Sequence, residues 1–255
     1  MLLAIDVGNT QTVIGVYARC DLAHMWRLTT VKTHTADELR LRVLPLLDAA
    51  DVSITEIDGA ALASVVPALT DAWESAISEM LGKAPLVCSA AVAGNMLECD
   101  YPNPAEIGAD RVADAVAAKT LYGAPVVVVD FGTATNIEVV DDEGRFVGGV
   151  IAPGVETSSQ ALFSHATKLA ATELVDPHTA IGKSSAEAIQ VGVVHGEAAR
   201  VDGLVDAIFA QLGYTAPVVA TGGLAGRVAR VSRTIMTINP QLTLEGLRLI
   251  FENRR

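Results

Sequence analysis

Leu2-Leu3-Ala4-Ile5-Asp6-Val7-Gly8-Asn9-Thr10 is the stretch on which the reading of this chain turns. An apolar run makes a buried strand, and an acid, a glycine, an amide and a hydroxyl come at once after it. Such a strand sets a carboxylate and several small polar donors at the edge of a sheet. The glycine has no Cβ to hold a phosphate away from the backbone N–H groups. Many buried strands end in Asp and Gly only because the chain must turn, so the stretch alone does not separate a ligand loop from a plain turn.

A second copy separates them. Val126-Val127-Val128-Val129-Asp130-Phe131-Gly132-Thr133-Ala134-Thr135 is again a β-branched run ending in Asp-x-Gly-Thr, and Asp130 stands 124 positions after Asp6 in a chain of 255 residues. The segments downstream of the two copies are also alike. Residues 12–17 and 23–28 read as a hairpin closed by Ala18-Arg19-Cys20-Asp21, and residues 136–140 and 145–152 as one closed by Asp141-Asp142-Glu143-Gly144. Two strand–acid–hairpin units predict a duplicated α/β domain, with a cleft where two carboxylates and two sets of backbone donors face a polyphosphate.

Composition bounds the alternatives. Half of the residues are hydrophobic, which speaks against disorder, and the chain is long enough for two modest domains with real cores. No apolar run approaches the roughly 20 residues that span a bilayer, and no signal peptide is expected ahead of the first strand. A formal charge of −12 argues against nucleic-acid or anionic-membrane partners, and any anion site must rely on local donors. Cys20, Cys88 and Cys99 have neither paired nor metal-like spacing, as expected of free thiols in the cytoplasm.

In the first half, residues 35–50 read as a helix with Thr35 as N-cap and an apolar stripe of Leu39, Leu41, Val43, Leu44, Leu46 and Leu47. A second apolar run covers 57–66, a helix 68–81 and a short strand 85–88. Tyr101-Pro102-Asn103-Pro104 is extended loop that holds Tyr101 in place. Ile107-Gly108-Ala109-Asp110-Arg111 then opens a helix to about Tyr122. Gly108 lets a ligand approach a helix N-terminus, where free N–H groups and the dipole favour anions. A carboxylate to accept a proton and a guanidinium fork to hold an anion suit a substrate carrying a hydroxyl and a carboxylate. Asp110 is the preferred base because it is nearer the glycine. Asp114, four residues on, is either a rival base or a charge that raises the pKa of Asp110.

In the second half, residues 157–168 read as helical and 165–182 as a polar, broken loop. Gly182-Lys183-Ser184 is not a P-loop, since the earlier glycine that motif requires is Pro177 and no strong strand precedes it. Ser184 and Glu187 form a capping box that starts a helix to about Leu212, and Ser185 can reach a substrate from that N-terminus. Val218-Val219-Ala220-Thr221-Gly222-Gly223 is a strand into a double glycine, flat enough to lie against a base or ribose. The chain closes with an amphipathic helix, 242–252, that should pack Leu244, Leu247 and Phe251 inward.

Taken in order, Asp6-Val7-Gly8-Asn9-Thr10, Gly108-Ala109-Asp110-Arg111, Asp130-Phe131-Gly132-Thr133-Ala134, Thr221-Gly222-Gly223 and Leu242-Thr243-Leu244-Glu245-Gly246-Leu247 resemble the type III pantothenate kinases. These belong to the acetate and sugar kinase, Hsp70 and actin superfamily. The resemblance runs over nearly the whole chain, and the ordered set is far more specific than any single motif.

The resemblance implies two duplicated ribonuclease-H-like α/β lobes (the actin-like ATPase fold), residues 1–118 and 119–255, with ATP in the cleft between them. It implies phosphorylation of pantothenate to 4'-phosphopantothenate, the first step of coenzyme A biosynthesis. Asp6, Val7, Gly8, Asn9, Thr10, Gln11, Thr12 and Val13 match the first phosphate loop, and Thr133 matches a γ-phosphate contact. Gly222 and Gly223 join the nucleotide contacts. Asp130 matches the ligand of a monovalent cation, K⁺ or NH₄⁺, and Asp110 the general base. Tyr101, Gly108, Ala109 and Arg111 match substrate contacts, as does Ser185, where the family usually carries Thr. Family members are homodimers in which the partner subunit completes the substrate pocket. With few lysines and a strong negative charge, the site must offset phosphate charge with backbone donors, Thr hydroxyls, Mg²⁺ and a monovalent cation, Asp6 orienting Mg²⁺ through water. Two other classes share such a fold: a catalytically silent regulatory protein, and an actin-like or Hsp70-like ATPase. A kinase of another small hydroxy-acid is the alternative within the class.

Overall fold

The computed structural model describes residues 1–166 and 169–254. The chain divides into two compact units, one of Met1–Ala117 with the segment from Leu242 onward, the other Ala118–Gln241. No helix among the described residues is long and apolar enough to cross a membrane.

The first unit runs β1 (Leu2–Val7), β2 (Gln11–Ala18), β3 (Asp21–Thr29), α1 (Ala36–Ala49), β4 (Gly59–Ser64), α2 (Pro67–Leu81), β5 (Leu86–Val87), α3 (Ala90–Ala93), β6 (Glu98–Cys99) and the start of α4 (Ala109–Tyr122). Its sheet has the order β3-β2-β1-β4-β5. β2 is antiparallel to β1, whereas β4 and β5 are parallel. The central strand is buried on both faces, and its register sorts the residues by size. Leu3, Ile5 and Val7 share a face with Ile14, Val16 and Leu62, and together they meet Val43, Leu47, Leu69, Trp73 and Ile77 of α1 and α2. On the other face, Ala4 stands opposite Gly15 and Ala61, and Leu2 opposite Gly59. A Cβ at Gly15 would strike Leu244 and one at Gly59 would strike the Phe251 ring, so the small residues make room for the C-terminal helix Leu242–Asn253.

That helix was expected in the second lobe. It belongs to the first unit instead, with Leu244 and Leu247 buried, because the small-residue face of the first sheet is the surface its apolar stripe fits. Gly246 lies against the backbone of Ala113 in α4, where a Cβ would collide with the Ala113 carbonyl oxygen. The helical spacing in α1 also corrects the expected stripe. Leu39, Val43 and Leu47 point inward at i, i+4 and i+8, whereas Leu41 and Leu44 are exposed. Thr35 and Glu38 cap α1 reciprocally.

The second unit holds β7 (Val126–Phe131), β8 (Ala134–Val140), β9 (Arg145–Pro153), α5 (Val155–His165), α6 (Ser185–Gln190), α7 (Gly196–Leu212), β10 (Val218–Thr221), α8 (Ala225–Val228) and β11 (Thr237–Ile238). Its strands run β11-β10-β7-β8-β9, with β8 antiparallel to β7, and β10 and β11 parallel. This is the order of the first unit again, the duplication read from the two acid-tipped strands. Val127, Val129 and Phe131 pack with Ile137, Val139, Val201, Val205 and Val218. The opposite face carries polar groups, with Asp130 registered against Asn136 and Thr221, and Val128 against a fully buried Glu138.

Three features of the helices differ from expectation. α5 covers Val155–His165 where 157–168 was expected; Thr167 and Lys168 lie outside the described residues. The long helix from Ser184 is interrupted by a π-helical stretch, Val191–His195, which links α6 to α7. The Ser184 side chain accepts from the Glu187 N–H as predicted, but the Glu187 carboxylate returns to the Lys183 N–H at 2.7 Å and not to Ser184.

The glycines give a direct test of this packing. Gly246→Ala places a methyl on the α4 backbone and should cost about 1–3 kcal/mol. Gly203→Ala in α7, where a Cβ meets nothing within 4 Å, should be neutral or stabilise by up to about 1 kcal/mol. Chemical denaturation of the two variants measures the contrast.

Candidate active site

The first group of site residues collects at the carboxyl ends of β1, β4 and β5, the edge where open α/β sheets receive ligands. Asp6 is half-buried near the end of β1, on the small-residue face. Beyond it the chain reverses through Asn9 and Thr10, closed by a 3.0 Å bond from the Gly8 N–H to the Gln11 carbonyl. Asn9, Thr10 and Gln11 are exposed, whereas Val7 and Thr12 are buried. The loop is held from behind. Thr30 Oγ1 donates to the Gly8 carbonyl at 2.8 Å and shares a 2.9 Å hydrogen bond with Thr12 Oγ1.

The N-terminus of α4 reaches the same edge. The Val112 N–H donates to the Gly108 carbonyl at 3.0 Å, which makes Gly108 the cap. The Cys88 thiol, just past β5, donates to the Ala109 carbonyl at 3.4 Å. A Cβ at Gly108 would stand 2.7 Å from Asp110 Oδ1 and 3.6 Å from Val65, while the Val65 N–H donates to Val7 at 3.1 Å. The missing Cβ thus makes space for the carboxylate of Asp110 itself, which accepts the Arg111 N–H at 2.7 Å.

Electrostatics connect these groups. The Cys88 thiol is pushed up to about 12, first by burial and then by the charges of Asp110, Asp6 and Asp114. The charges of these three carboxylates thus all act on one buried sulfur. Burial also raises the Asp110 carboxyl above its ordinary value, against the opposing Arg111 N–H bond and guanidinium. Burial, not the charge of Asp114, is the cause. Asp114 is itself 1% exposed, too enclosed to take a proton from a substrate, whereas Asp110 keeps an exposed part. The two acids thus differ in exposure, in the sense that the preference for Asp110 requires.

The second unit places a matching loop at the carboxyl end of β7. Gly132 N–H bonds the Ala134 carbonyl at 3.0 Å, so Thr133 stands alone at the apex, one residue fewer than the Asn9-Thr10 tip. The Thr133 carbonyl accepts from the Gly154 N–H at 3.1 Å and from Thr157 Oγ1 at 2.7 Å. Asp130 is framed by glycines. A Cβ at Gly132 would lie 3.3 Å from its Oδ2, and one at Gly222 (φ +92°) would collide with its Oδ1. A half-buried carboxylate cradled by two side-chain-free backbones suits a cation. Among the described residues no three His, Cys, Asp or Glu side chains are grouped as a full metal cage.

Gly223 also lines a cavity of about 360 Å³ with Val175, Asp176, Gly226, Arg227 and Arg230. Arg227 is anchored by a 2.8 Å bond to the Leu174 carbonyl, and Asp176 by His195 Nε2 at 2.7 Å. The sequence reading reached the double glycine but not these companions, which only the fold brings to it. Tyr101 is half-buried in the loop before α4, and Ser185 is exposed at the head of α6. Cys88, Thr30, Thr157 and Gly154 escaped the sequence reading. Their one local signal is small polar or glycine residues just after a strand.

The fold is that of the actin-like ATPases and sugar kinases. The inorganic polyphosphate/ATP-glucomannokinase of Arthrobacter sp. strain KM superposes with a TM-score of 0.54 at 14% identity, over 100% of this chain and 99% of that one. The sequence resolves the family within that class. The type III pantothenate kinase family model matches residues 2–207. The type III pantothenate kinase of Moorella thermoacetica is 43% identical over 99% of both chains, and that of Frankia alni 46% identical over 99% of both. The chain belongs to the type III pantothenate kinase family.

The raised Asp110 carboxyl carries a pH signature. A carboxyl that holds its proton more tightly when folded makes the folded state lose stability as pH rises from the ordinary carboxyl range through the folded value. Asp110→Asn should therefore be at least as stable as the parent at pH 7, the difference closing as pH falls toward the ordinary value. Thermal melts across pH measure it, and an Asn variant less stable than the parent at pH 7 would contradict the burial argument.

Proposed function

We propose that this protein transfers the γ-phosphoryl group of ATP to the hydroxyl of pantothenate, giving 4'-phosphopantothenate and ADP, the first step of coenzyme A biosynthesis. The observation that carries the catalytic assignment is Asp110. It is a half-buried carboxylate at a helix N-terminus, raised by burial, while its rival Asp114 is sealed off. Phosphoryl transfer asks little covalent work of a protein, so positioning and charge compensation decide the rate. Asp110 accepts the hydroxyl proton as the substrate oxygen bonds to the γ-phosphorus, and the bond to the departing ADP oxygen breaks. The proton then passes to solvent. The higher affinity for protons that burial confers makes Asp110 a better base than an exposed Asp at neutral pH.

The remaining roles are assigned by element. Gly8, Asn9, Thr10, Gln11 and the backbone of Val7, Thr12 and Val13 surround the phosphates from the first loop, and Thr133 meets the γ-phosphate from the second. Gly222 and Gly223 take the nucleoside, and the cavity beside Gly223, with its anchored Arg227, provides a face for the base. Gly108, Ala109, Arg111 and Tyr101 hold pantothenate, Arg111 through its carboxylate. Ser185 is the last substrate contact, in a homodimer whose second subunit completes the pocket. Asp6 would orient Mg²⁺ through water, where the ion would offset phosphate charge, and Asp130 would hold the monovalent cation, K⁺ or NH₄⁺. The cytoplasm is the compartment of this reaction.

An ADP-release assay with ATP, Mg²⁺, K⁺ and pantothenate tests the reading. Asp110→Asn should lower kcat by about 10²- to 10⁴-fold with ATP affinity unchanged. Asp130→Ala should remove the response to K⁺. Full turnover in Asp110→Asn would put the base elsewhere. ATP hydrolysis that ignores pantothenate would overturn the substrate.

A further inference from the structure

We propose that Thr30 and Thr157 are a matched pair of positioning residues, each locking the phosphate loop of its own unit from behind. This rests on the proposed kinase activity, in which the two loops hold the phosphates of ATP. The two hydroxyls follow corresponding strands of the duplicated unit: Thr30 directly follows β3, and Thr157 lies in the first turn of α5, four residues past the end of β9. Each donates to a carbonyl inside the loop that begins with its unit's aspartate, Thr30 Oγ1 to Gly8 at 2.8 Å and Thr157 Oγ1 to Thr133 at 2.7 Å.

The planar peptide turns these bonds into a control on direction. In a trans unit the C=O and the next N–H point in opposite directions. Fixing the Gly8 carbonyl toward Thr30 turns the Asn9 N–H the other way, and fixing the Thr133 carbonyl toward Thr157 does the same to the Ala134 N–H. The locks therefore aim loop donors without touching a ligand. Each is reinforced, the first by the Thr12–Thr30 hydroxyl pair at 2.9 Å and the Thr30 N–H on the Thr10 carbonyl at 2.9 Å, the second by the Gly154 N–H on Thr133 at 3.1 Å. Gly154 has no alternative there, because a Cβ would collide with the carbonyl oxygens of Gly132 and Thr133. A chain with net charge −12 must hold phosphate largely on such aimed donors. A loop free to rotate its peptides would place them out of register with the reacting phosphoryl group, and misplacement by about 1 Å can cost on the order of 100-fold.

Thr157→Val keeps the shape and removes the donor; Thr157→Ser keeps the donor and removes a methyl. The valine variant should lose about 10- to 100-fold in kcat/KM for ATP, with the KM for pantothenate unchanged, and the serine variant should restore most of the rate. Calorimetric titration should show Thr157→Val weakening ATP more than ADP, since its loop meets only the γ-phosphate. Thr30→Val should weaken both nucleotides. Thr157→Ala, which cannot overpack, carries the test if the valine variant does not fold. A Thr157→Val or Thr157→Ala enzyme with parental kcat/KM, a serine variant no better than valine, or equal losses for ATP and ADP would overturn the inference while leaving the kinase reading intact. A parent protein that does not phosphorylate pantothenate would take both down.

Discussion

The structure depends on one constraint: a buried parallel strand must release its chain at the carboxyl edge of the sheet, and its last residues decide what stands there. β1 and β7 sit at the centre of their sheets, each flanked by an antiparallel and a parallel neighbour. Burial on both faces forces apolar residues along the strand until the final turn. Only there do Asp6 and Asp130 become tolerable. Both lie on the same parity as the less bulky or more polar face, away from the large side chains that fill the helix-backed core. The acid is thus placed by register before any ligand is considered.

What surrounds each acid is backbone. Gly8 and Gly132 close the tips, Gly222 and Gly132 frame the Asp130 carboxylate, and Gly108 yields its Cβ space to Asp110. Removing side chains from these positions costs conformational entropy. It brings N–H groups close to where an anion belongs, which suits a strongly acidic chain with few spare cations. The two loops are not copies in detail. The first carries two residues at its tip and the second only Thr133, so one duplicated design presents a broad cradle and a single hydroxyl-bearing apex.

The placement of Asp110 depends on a longer chain of contacts. α4 is buried nearly all round from Arg111 to Ala118, so its position is fixed by packing and not by propensity. Cys88 ties its first carbonyl to the end of β5, and Gly246 lets the C-terminal helix press on its middle. A helix drawn from the far end of the chain thereby steadies the element that carries Asp110.

The sequence by itself determined the acid-tipped strands, their hairpins, the duplication, and the ordered motifs that mark the family, because these are local: an apolar run, a turn residue, a period. It also carried Asp110 to the head of α4 and preferred it to Asp114 for its nearness to Gly108, although both lie on one helical face. Only the tertiary structure showed how the two differ in burial, Asp114 being sealed and Asp110 partly exposed. Only it moved the C-terminal helix to the first unit, turned Leu41 and Leu44 outward, and tied Cys88 to the first carbonyl of α4. It alone set Thr30 and Thr157 against carbonyls more than twenty residues away. Burial and long-range contact are properties of the packed chain, and no local pattern encodes which distant surface a residue will meet.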